Sequence, residues 1–409
     1  MERFGQVYIR TKSVDSPNEF VLVPSARFSN LNHKWYNSKG DVHSEYHQYR
    51  GTKFSLLFKS DQYDKNGQLV HFEGNIHLPY GLGEVSTQDF EGVDAALKED
   101  IEIIRRLNLI SDDYTDLTKY HKIELPSFTP ACYPGTKLSD SKLQRINNIA
   151  LFAFDDDMEK LTHLKLKQFD EFMNAAYKAM NLHDHSIETT TPTTHEIPES
   201  LLKYVKVIQF FENELSIAEN GSNRGKYVRE ALLDCIHSIC METSREWNDE
   251  GNGVYRKVQK ELRLTVSGVV IYLEVSLFDA NIQIKAQIRN TFLFKWFLRI
   301  LTEYVAWAND VISFRKESEA GRATCNTVYL LHYHKGLPLA NAMQEVLDKT
   351  KIRCTLLIET GRMLCELYED DENVHRFVEM AKGLAYGVVQ CHSITDRYHK
   401  NFLFDCVVE

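Results

Sequence analysis

The feature that most constrains the fold of this chain is a change in the spacing of apolar residues at Val93. From that position the apolar residues recur every three or four places, as in VDAALKEDIEIIRRLNLI, and helical spacing dominates to the C-terminus. This spacing is typical of amphipathic α-helices, whose buried face returns about every 3.6 residues. The sequence therefore predicts an all-α fold class for most of the chain.

Turn-forming residues divide this helical pattern into separate elements. Threonines, prolines and histidines interrupt the spacing in NLHDHSIETTTPTTHEIPES, so this stretch is predicted to be a loop, and the next helix is predicted to begin near Pro198. The segments ENGSNRG and HKGLP are predicted to be turns between later helices. The helices predicted after the loop are 199–218, 224–247, 282–317, 337–350 and 352–369.

The segment before Val93 has a different character. It contains short alternating apolar runs, namely VYIR, FVLV and LVHFEGNIHL, which indicate a partly extended chain. We therefore divide the sequence into two parts. Residues 1–90 are predicted to be an irregular N-terminal extension that packs on or caps the rest, and residues 91–409 are predicted to be the α-helical domain.

The composition excludes several classes of function. Of the 409 residues 43% are apolar, which suits a globular protein, and a net charge of -10 argues against binding nucleic acid. The eight cysteines form no C-x-x-C pair, so free thiols in a reducing compartment are expected. The first residues show no signal pattern, and no apolar run approaches the roughly 18 residues that span a bilayer. We therefore expect a cytoplasmic protein without stable membrane insertion.

Oxygen-bearing side chains are spaced along one predicted helix in the stretch NDVISFRKE. Asn309, Ser313 and Glu317 follow one another at intervals of four residues, so a helix presents them in a column. An amide oxygen, a hydroxyl and a carboxylate in a row suit a hard cation such as Mg²⁺. A polar helix face in water explains this cluster equally well when it is taken alone.

A second group of oxygen atoms lies in the run LFAFDDDMEK. Asp155 and Glu159 share one helix face, and Asp156 lies beside them. Carboxylates this close repel one another unless protons, water or a cation neutralise them, so a solvated acidic helix end remains an alternative. If facing helices aim both clusters at one cavity, they suit a polyphosphate ester, because Mg²⁺ usually completes its coordination with phosphate oxygens.

A polyphosphate ligand also needs cationic donors, and the sequence contains candidates for them. They are Arg263 in KELRLTVSG, Lys316 within the first cluster, and the pair Arg397 and Tyr398 in SITDRYHK. Arginine binds phosphate through two parallel hydrogen bonds, and a tyrosine hydroxyl adds a further donor. Taken singly, each of these residues is also a common surface residue.

Taken together, these motifs resemble those of class I terpene synthases (terpene cyclases), in the single α-domain type of microbes, social amoebae and corals. FDDDME is similar to the aspartate-rich motif in its D-D-x-x-E form, and NDVISFRKE resembles the N-D-x-x-S-x-x-x-E motif. The resemblance covers roughly residues 125–400. It implies that the metal ligands are Asp155, Asp156, Glu159, Asn309, Ser313 and Glu317. It implies that the diphosphate is bound by Arg263, Lys316, Arg397 and Tyr398.

The same resemblance implies a fold and a reaction. The fold is the class I terpenoid synthase α-helical barrel or bundle. The reaction is the Mg²⁺-dependent ionisation of a linear prenyl diphosphate, followed by cyclisation of the carbocation to a cyclic terpene and release of diphosphate, which makes the enzyme a lyase. Three Mg²⁺ ions are expected, with Mn²⁺ able to substitute. The protein is expected to be a monomer or a homodimer.

This chain departs from the family pattern in two places. The Trp that often stands six residues before the Arg-Tyr pair is replaced by Cys391, and the larger cavity this implies favours geranylgeranyl diphosphate over farnesyl diphosphate. The residues expected to link the sensing Arg263 to a helix break are Val266 and Ser267 instead of Asp and Gly. Gly268 can still supply the flexible backbone of such a break.

Aromatic residues near the two motifs have two interpretations. Phe152 and Phe154 precede the aspartates, and Tyr304 and Trp307 precede Asn309. They either stabilise a carbocation through their π faces or pack in the core of the protein. Tyr304 is expected to lie nearly in line with the ligand column.

Two other functions remain open from the sequence. A chain-elongating prenyl diphosphate synthase shares the α fold and the magnesium chemistry, but a second aspartate-rich motif is expected where this chain has Asn309, Ser313 and Glu317. A non-catalytic helical interaction protein would carry the acidic clusters as solvated faces. Magnesium-dependent binding of diphosphate distinguishes this last function from the enzymatic ones.

Overall fold

A computed structural model gives the arrangement of most of the chain. The described residues are 8–12, 20–24, 54–79, 93–109, 141–158, 160–161, 164, 166–180, 197–243, 253–319, 321, 325–394 and 403–408. Within these ranges helices predominate, so the prediction of a mainly α-helical chain is confirmed. None of the helices in these ranges is both long enough and apolar enough to cross a bilayer.

The helices agree with the predicted pattern in most places. They are α1 Val93–Arg106, α2 Lys142–Met158, α3 Leu166–Ala179, α4 Glu199–Glu219, α5 Lys226–Thr243, α6 Gly253–Val266, α7 Val269–Asp279, α8 Ala286–Arg289, α9 Phe292–Glu319, α10 Thr327–Tyr329 with a π-helical turn Leu330–His334, α11 Leu339–Leu367 and α12 Glu372–Ile394. Helix α4 begins directly after Pro198, as predicted. The two helices predicted at 337–350 and 352–369 are one continuous helix, α11.

Contacts within the chain group it into two compact units. The first unit contains residues 1–91, 130–137 and 284–409, and the second contains residues 92–129 and 138–283. This grouping differs from a boundary at residue 90, which stays a prediction.

A five-stranded sheet belongs to the first unit. Its strands are β1 Tyr8–Lys12, β2 Phe20–Pro24, β3 Phe54–Tyr63, β4 Leu69–Leu78 and β5 Leu403–Val408. Their order in the sheet is β2-β1-β5-β3-β4. Strand β5 is parallel to β1 and antiparallel to β3, and Cys406 is the partner of Ile9 on one side and of Leu56 on the other. The expectation of helical structure to the end of the sequence is therefore wrong at residues 403–408.

The β3–β4 hairpin is held against the helices of the first unit by specific contacts. The Tyr304 hydroxyl on α9 donates to the backbone oxygen of His77 at 2.6 Å. His332 in the π-helical turn accepts from the backbone nitrogen of Lys65 at 3.1 Å, and its other ring nitrogen donates to the Leu337 oxygen at 2.7 Å. The two ring nitrogens of His332 thus link the β3–β4 hairpin to the residues that follow the π-helical turn.

Helices α9 and α12 run parallel to each other in the first unit. The rings of Phe294 on α9 and Phe377 on α12 stack at a centroid distance of 4.8 Å. Fifteen residues further along both helices, Asn309 and His392 are again in contact, at 2.9 Å. Because both helices advance about 1.5 Å per residue, equal spacings keep the two contacts in register.

Helix α11 runs antiparallel to α9 and packs closely on it at a glycine. A Cβ atom at Gly361 would lie 3.2 Å from a ring carbon of Phe297 on α9 and 2.8 Å from a methyl carbon of Val378 on α12. Further along α9, Arg353 of α11 lies over the Trp307 ring at 5.2 Å. Gly361 is therefore the point at which α9, α11 and α12 approach one another.

Buried ion pairs tie the helices of the second unit together. Arg145 on α2 binds Asp100 on α1 at 2.9 Å. Arg229 on α5 binds both oxygens of Glu212, at 2.7 and 2.8 Å, and reaches Glu219 at 2.6 Å, both on α4. Burial alone would raise the pKa of Glu219, but the hydrogen bonds from Arg229 and the Gly225 backbone keep it below its ordinary value.

Candidate functional site

The predicted ligand column lies on the second half of α9. Asn309, Ser313 and Glu317 follow one another in steps of four residues, and each step advances about 6 Å along the helix axis. Ser313 is 1% exposed, and its hydroxyl oxygen has no hydrogen-bond partner among the described residues. A buried hydroxyl without a hydrogen-bond partner lowers the stability of the protein by about 1–3 kcal/mol. We therefore expect a ligand to bind at this oxygen.

Glu317 is oriented by an asparagine that follows α9 in the chain. Asn326 is 2% exposed and donates from its side-chain nitrogen to a Glu317 carboxylate oxygen at 2.8 Å and to the Asp310 backbone oxygen at 2.9 Å. Its side-chain oxygen accepts from the backbone nitrogens of Val328 and Tyr329, at 2.9 and 3.3 Å. All four hydrogen-bonding positions of this amide are used, so Asn326 has one fixed orientation and holds the Glu317 carboxylate in place.

The aspartate of the N-D pair has a structural role. Asp310 is fully buried, and its carboxylate accepts from the Thr327 backbone nitrogen at 2.9 Å. This bond joins α9 to the start of α10. Asp310 therefore stabilises the loop that brings Asn326 next to Glu317.

Asn309 at the other end of the column contacts α12. Its side-chain nitrogen lies 2.9 Å from the Nδ1 atom of His392. Lys316, which the resemblance assigns to diphosphate, lies on α9 beside Glu317 and is partly buried. The first unit thus brings four of the predicted site residues together on one helix.

Three positions near the end of α12 are described only in part or not at all. The backbone of Cys391 belongs to α12, while its side chain lies outside the description. Arg397 and Tyr398 lie outside the described residues, in the segment between Ile394 at the end of α12 and Leu403 at the start of β5.

The aspartate run lies at the end of α2 in the second unit. Asp155 and Asp156 are on the last turn of this helix and are partly buried, and Glu159 lies outside the described residues. Asp157 in this run is bonded to three side chains: Lys160 lies 2.7 Å from it, the Tyr204 hydroxyl 2.8 Å, and Lys203 also pairs with it.

These contacts change the acidity of the groups at the end of α2. Burial by itself would raise the pKa of Asp157, but hydrogen bonds from Lys160, Lys203 and Tyr204 outweigh it and keep the pKa below its ordinary value. Burial, together with the negative charge of Asp157, raises the pKa of Tyr204. Asp157 therefore anchors α2 to α4 as an ionised carboxylate and is distinct from the predicted ligands beside it.

Arg263 precedes a break between two helices. It is buried on the last turn of α6, which ends at Val266, and α7 begins at Val269. Gly268 between them has φ 68, in the left-handed region that glycine adopts without strain. The expectation that Gly268 supplies the backbone of a break is confirmed.

A cysteine on α5 lies next to the helix break. A Cβ atom at Gly268 would lie 3.8 Å from the sulfur of Cys235 on α5. Burial, with smaller contributions from the charges of Asp155 and Asp234, raises the pKa of Cys235 to about 12. The Cys235 thiol beside the break is therefore protonated at neutral pH.

Two of the aromatic candidates belong to the core. Phe154 is 2% exposed, with its ring 5.7 Å from Phe172 and 4.8 Å from Tyr204. Tyr304 is fully buried and is bonded to β4, so its expected place near the line of the ligand column is wrong. Five residues turn a helix by about 500°, which puts Tyr304 about 140° away from Asn309.

The oxygen set on α9 fits a divalent cation. In the part of the chain that the structure describes, no three His, Cys, Asp or Glu side chains are grouped as metal ligands. The α9 column has a different composition, because only Glu317 among its three members is one of these residue types. Amide, hydroxyl and carboxylate oxygens are the donors that hard cations take, and the buried Ser313 oxygen without a protein partner suits such a ligand.

A family comparison agrees with this site. The family described as "Terpene synthase family 2, C-terminal metal binding" matches residues 147–354, which include the aspartate run, Arg263 and the whole α9 column. The chain belongs to this family of class I terpene synthases and is an enzyme of that class. The resemblance inferred from the two motifs is thereby confirmed.

Individual relatives support the same class. Germacrene A synthase of Nostoc punctiforme is 22% identical over 310 residues, which cover 75% of this chain and 90% of that protein. The structure of wild-type cucumene synthase matches with a TM-score of 0.59 at 13% identity, over 75% of this chain and 98% of that one. Hedycaryol synthase in complex with nerolidol matches with a TM-score of 0.57 at 12% identity, over 73% and 94%. The predicted class I terpenoid synthase fold is confirmed by these similarities.

Proposed function

We propose that this enzyme ionises a linear prenyl diphosphate and cyclises the resulting carbocation to a terpene, with Mg²⁺ as the cofactor. The observation that carries the proposal is the α9 column, in which a buried Ser313 oxygen without a protein partner lies between Asn309 and Glu317. The ligands proposed for the metal are Asn309, Ser313 and Glu317 on α9, and Asp155, Asp156 and Glu159 at and after the end of α2.

The chain's own residues divide the remaining work. Lys316 donates to the diphosphate from the same helix that carries the ligands, and Arg263, Arg397 and Tyr398 supply further donors to it. Bound Mg²⁺, in a set of three ions that Mn²⁺ can replace, acts as a Lewis acid on the leaving diphosphate. The reaction then needs a cavity that excludes water, because water would quench the carbocation before a ring closes.

Farnesyl diphosphate is the proposed substrate. One relative that matches over 75% of this chain is a germacrene A synthase, and homologues of this kind suggest farnesyl diphosphate. The alternative, geranylgeranyl diphosphate, depends on Cys391 in place of a Trp, and the orientation of that side chain is not described. The relatives therefore support the shorter substrate, and no comparison supports the longer one.

Incubation of the purified enzyme with Mg²⁺ and each prenyl diphosphate tests this function. We expect a cyclic terpene from farnesyl diphosphate by gas chromatography with mass spectrometry, and none after chelation of the metal. Glu317→Ala should lower turnover at least about a hundredfold, because metal coordination supplies several kcal/mol. Glu319→Ala, on the same helix and exposed, is the matched control and should keep turnover near that of the wild type.

The other outcomes distinguish the alternatives. Cyclisation of geranylgeranyl diphosphate alone would overturn the assignment of substrate but not of reaction. A longer linear diphosphate, formed when isopentenyl diphosphate is added, would identify a chain-elongating synthase. Unchanged protein stability on adding Mg²⁺ and diphosphate, together with no turnover, would overturn the proposed metal and diphosphate site.

A further inference from the structure

His392 on α12 contacts the ligand column at Asn309. Its Nδ1 atom lies 2.9 Å from the side-chain nitrogen of Asn309. The contact is set by the parallel register of the two helices, since Phe294 and Phe377 meet fifteen residues earlier on each. Neither motif includes His392, and the family resemblance assigns it no role.

The chemistry of the two side chains limits how this contact forms. The amide nitrogen of Asn309 has two hydrogens to donate and no lone pair to accept, so Nδ1 of His392 must be the acceptor. With the nitrogen turned toward α12, the amide oxygen of Asn309 points away from His392. An asparagine coordinates a hard cation through its oxygen, so this orientation is the one that a metal ligand needs.

We propose that His392 is a positioning residue that fixes the amide of Asn309 with its oxygen turned away from His392, which is the orientation that a metal ligand needs. The inference rests on the proposed role of Asn309 as a ligand. Outer partners of this kind set the orientation of a ligand, and their removal typically lowers metal affinity about 10–100-fold. Asn326 does the same for Glu317 at the other end of the column. The two terminal members of the column are thus each held by a side chain from outside α9.

Three variants separate positioning from packing. His392→Leu removes the acceptor and keeps an apolar side chain of similar bulk. His392→Asn restores an acceptor, because its Oδ1 is the same number of bonds from the backbone as Nδ1 of histidine. His375→Leu, at a contact of the same helix with the Glu369 backbone oxygen, makes the same chemical change away from α9 and is the control.

The readout is metal binding, measured without turnover. The stabilisation of the protein by Mg²⁺ with inorganic diphosphate is measured by thermal unfolding, and binding of Mn²⁺ by electron paramagnetic resonance. We expect His392→Leu to need about tenfold or more metal for the same effect, His392→Asn to recover most of the loss, and His375→Leu to match the wild type.

A double variant decides whether His392 acts through Asn309. If it does, His392→Leu adds no further loss of metal affinity in a chain that already carries Asn309→Ala. Wild-type metal affinity in a folded His392→Leu protein would overturn the inference while Asn309→Ala still lowers affinity. Wild-type affinity in Asn309→Ala would instead overturn the proposed role of Asn309 itself. Equal losses in His392→Leu and His392→Asn would show that the ring acts through packing, and this also overturns the inference.

Discussion

Asp157 and Asn326 lie close to predicted metal ligands, but each binds other parts of the protein. Asp157 follows two predicted ligands in the aspartate run, yet its carboxylate is bonded to Lys160, Lys203 and Tyr204. Asn326 follows the α9 motif and binds Glu317. At the scale of single residues, an acidic or amide side chain is assigned to the metal or to the scaffold by its partners. The residue type alone does not determine which of these two roles a side chain has.

Replacing Asp157 should make the stability of the protein less sensitive to acid. The folded-state pKa of Asp157 lies below its ordinary value of 3.8, so the ionised carboxylate stabilises the fold above that value. This contribution is lost as the pH falls through the folded-state pKa. We expect Asp157→Asn to lower the unfolding free energy by about 1–3 kcal/mol at pH 7, and by clearly less at pH 3.

Denaturant unfolding at both pH values measures this difference. Asp170→Asn, an exposed aspartate on α3, is the control for the general effect of removing one negative charge. If Asp157→Asn destabilises the protein equally at both pH values, the ionised form of Asp157 does not carry the contact.

Replacing Asn326 should affect both the fold and the metal. Asn326→Ala removes the cap of α10 and the bond to Glu317, so we expect the unfolding free energy to fall by about 2–4 kcal/mol. Asn326→Ser keeps a side-chain cap but cannot reach Glu317 in the same way. It should recover part of the stability while still needing more Mg²⁺ for half-maximal turnover. A serine variant with wild-type metal dependence would contradict the role of Asn326 toward Glu317.

At the scale of elements, α9 and α12 both lie close to α11 at Gly361. A side chain there would press on Val378 of α12 and Phe297 of α9. Both the Phe294–Phe377 stack and the contact of Asn309 with His392 lie on the same pair of helices. The spacing between α9 and α12 therefore affects the orientation of the proposed ligand Asn309, which lies fifteen residues after Phe294 on α9.

A methyl group at Gly361 should be destabilising for a steric reason. Its carbon would lie 2.8 Å from a methyl of Val378, and Val is stiff at its branched carbon, so the helices must shift. We expect Gly361→Ala to lower the unfolding free energy by about 1–3 kcal/mol, measured by denaturant unfolding. Val378→Ala in the same chain should restore part of it. If the double variant loses more unfolding free energy than the two single variants together, the clash at Val378 is not the cause of the destabilisation.

Local patterns predicted some elements well and missed others for a physical reason. Helices α4 and α5 lie within a few residues of the predicted 199–218 and 224–247, because helical spacing and turn residues are local signals. Strand β5 was missed because its partners β1 and β3 are hundreds of residues away, and no local period reports such pairing. The break predicted between 350 and 352 was wrong because one long buried face continues through Thr350 and Cys354.

The candidate site likewise contains residues that a local motif predicts and residues that only long-range packing brings together. The column on α9 was predictable because its three members belong to one short motif on one helix. His392 is 83 positions from Asn309, and only the register of α12 brings the two together. Asn326 offered one local signal, since asparagine before a short helical run is a preferred cap, but its bond to Glu317 depends on the loop fixed by Asp310.

At the scale of the whole chain, a strand from near its end lies in the middle of a sheet made from its beginning. Removing residues 403–409 should leave β1–β2 and β3–β4 as two separate pairs of strands, because β5 lies between β1 and β3 and pairs with both. We expect the β3 amides that pair with β5 to exchange with solvent at least about tenfold faster, which is a loss of about 1.4 kcal/mol. Removing residue 409 alone is the control. Unchanged protection of β3 would contradict the central position of β5.

The central position of β5 also determines when the sheet can be completed during synthesis of the protein. Cys406 is made nearly 400 residues after its partner Ile9. At about 5–20 residues per second, this interval is on the order of 20–80 seconds. Throughout it, one edge of β1 has unpaired backbone groups, and such an edge can pair with a strand of another chain. During synthesis, this edge of β1 therefore stays open to such pairing until β5 has been made.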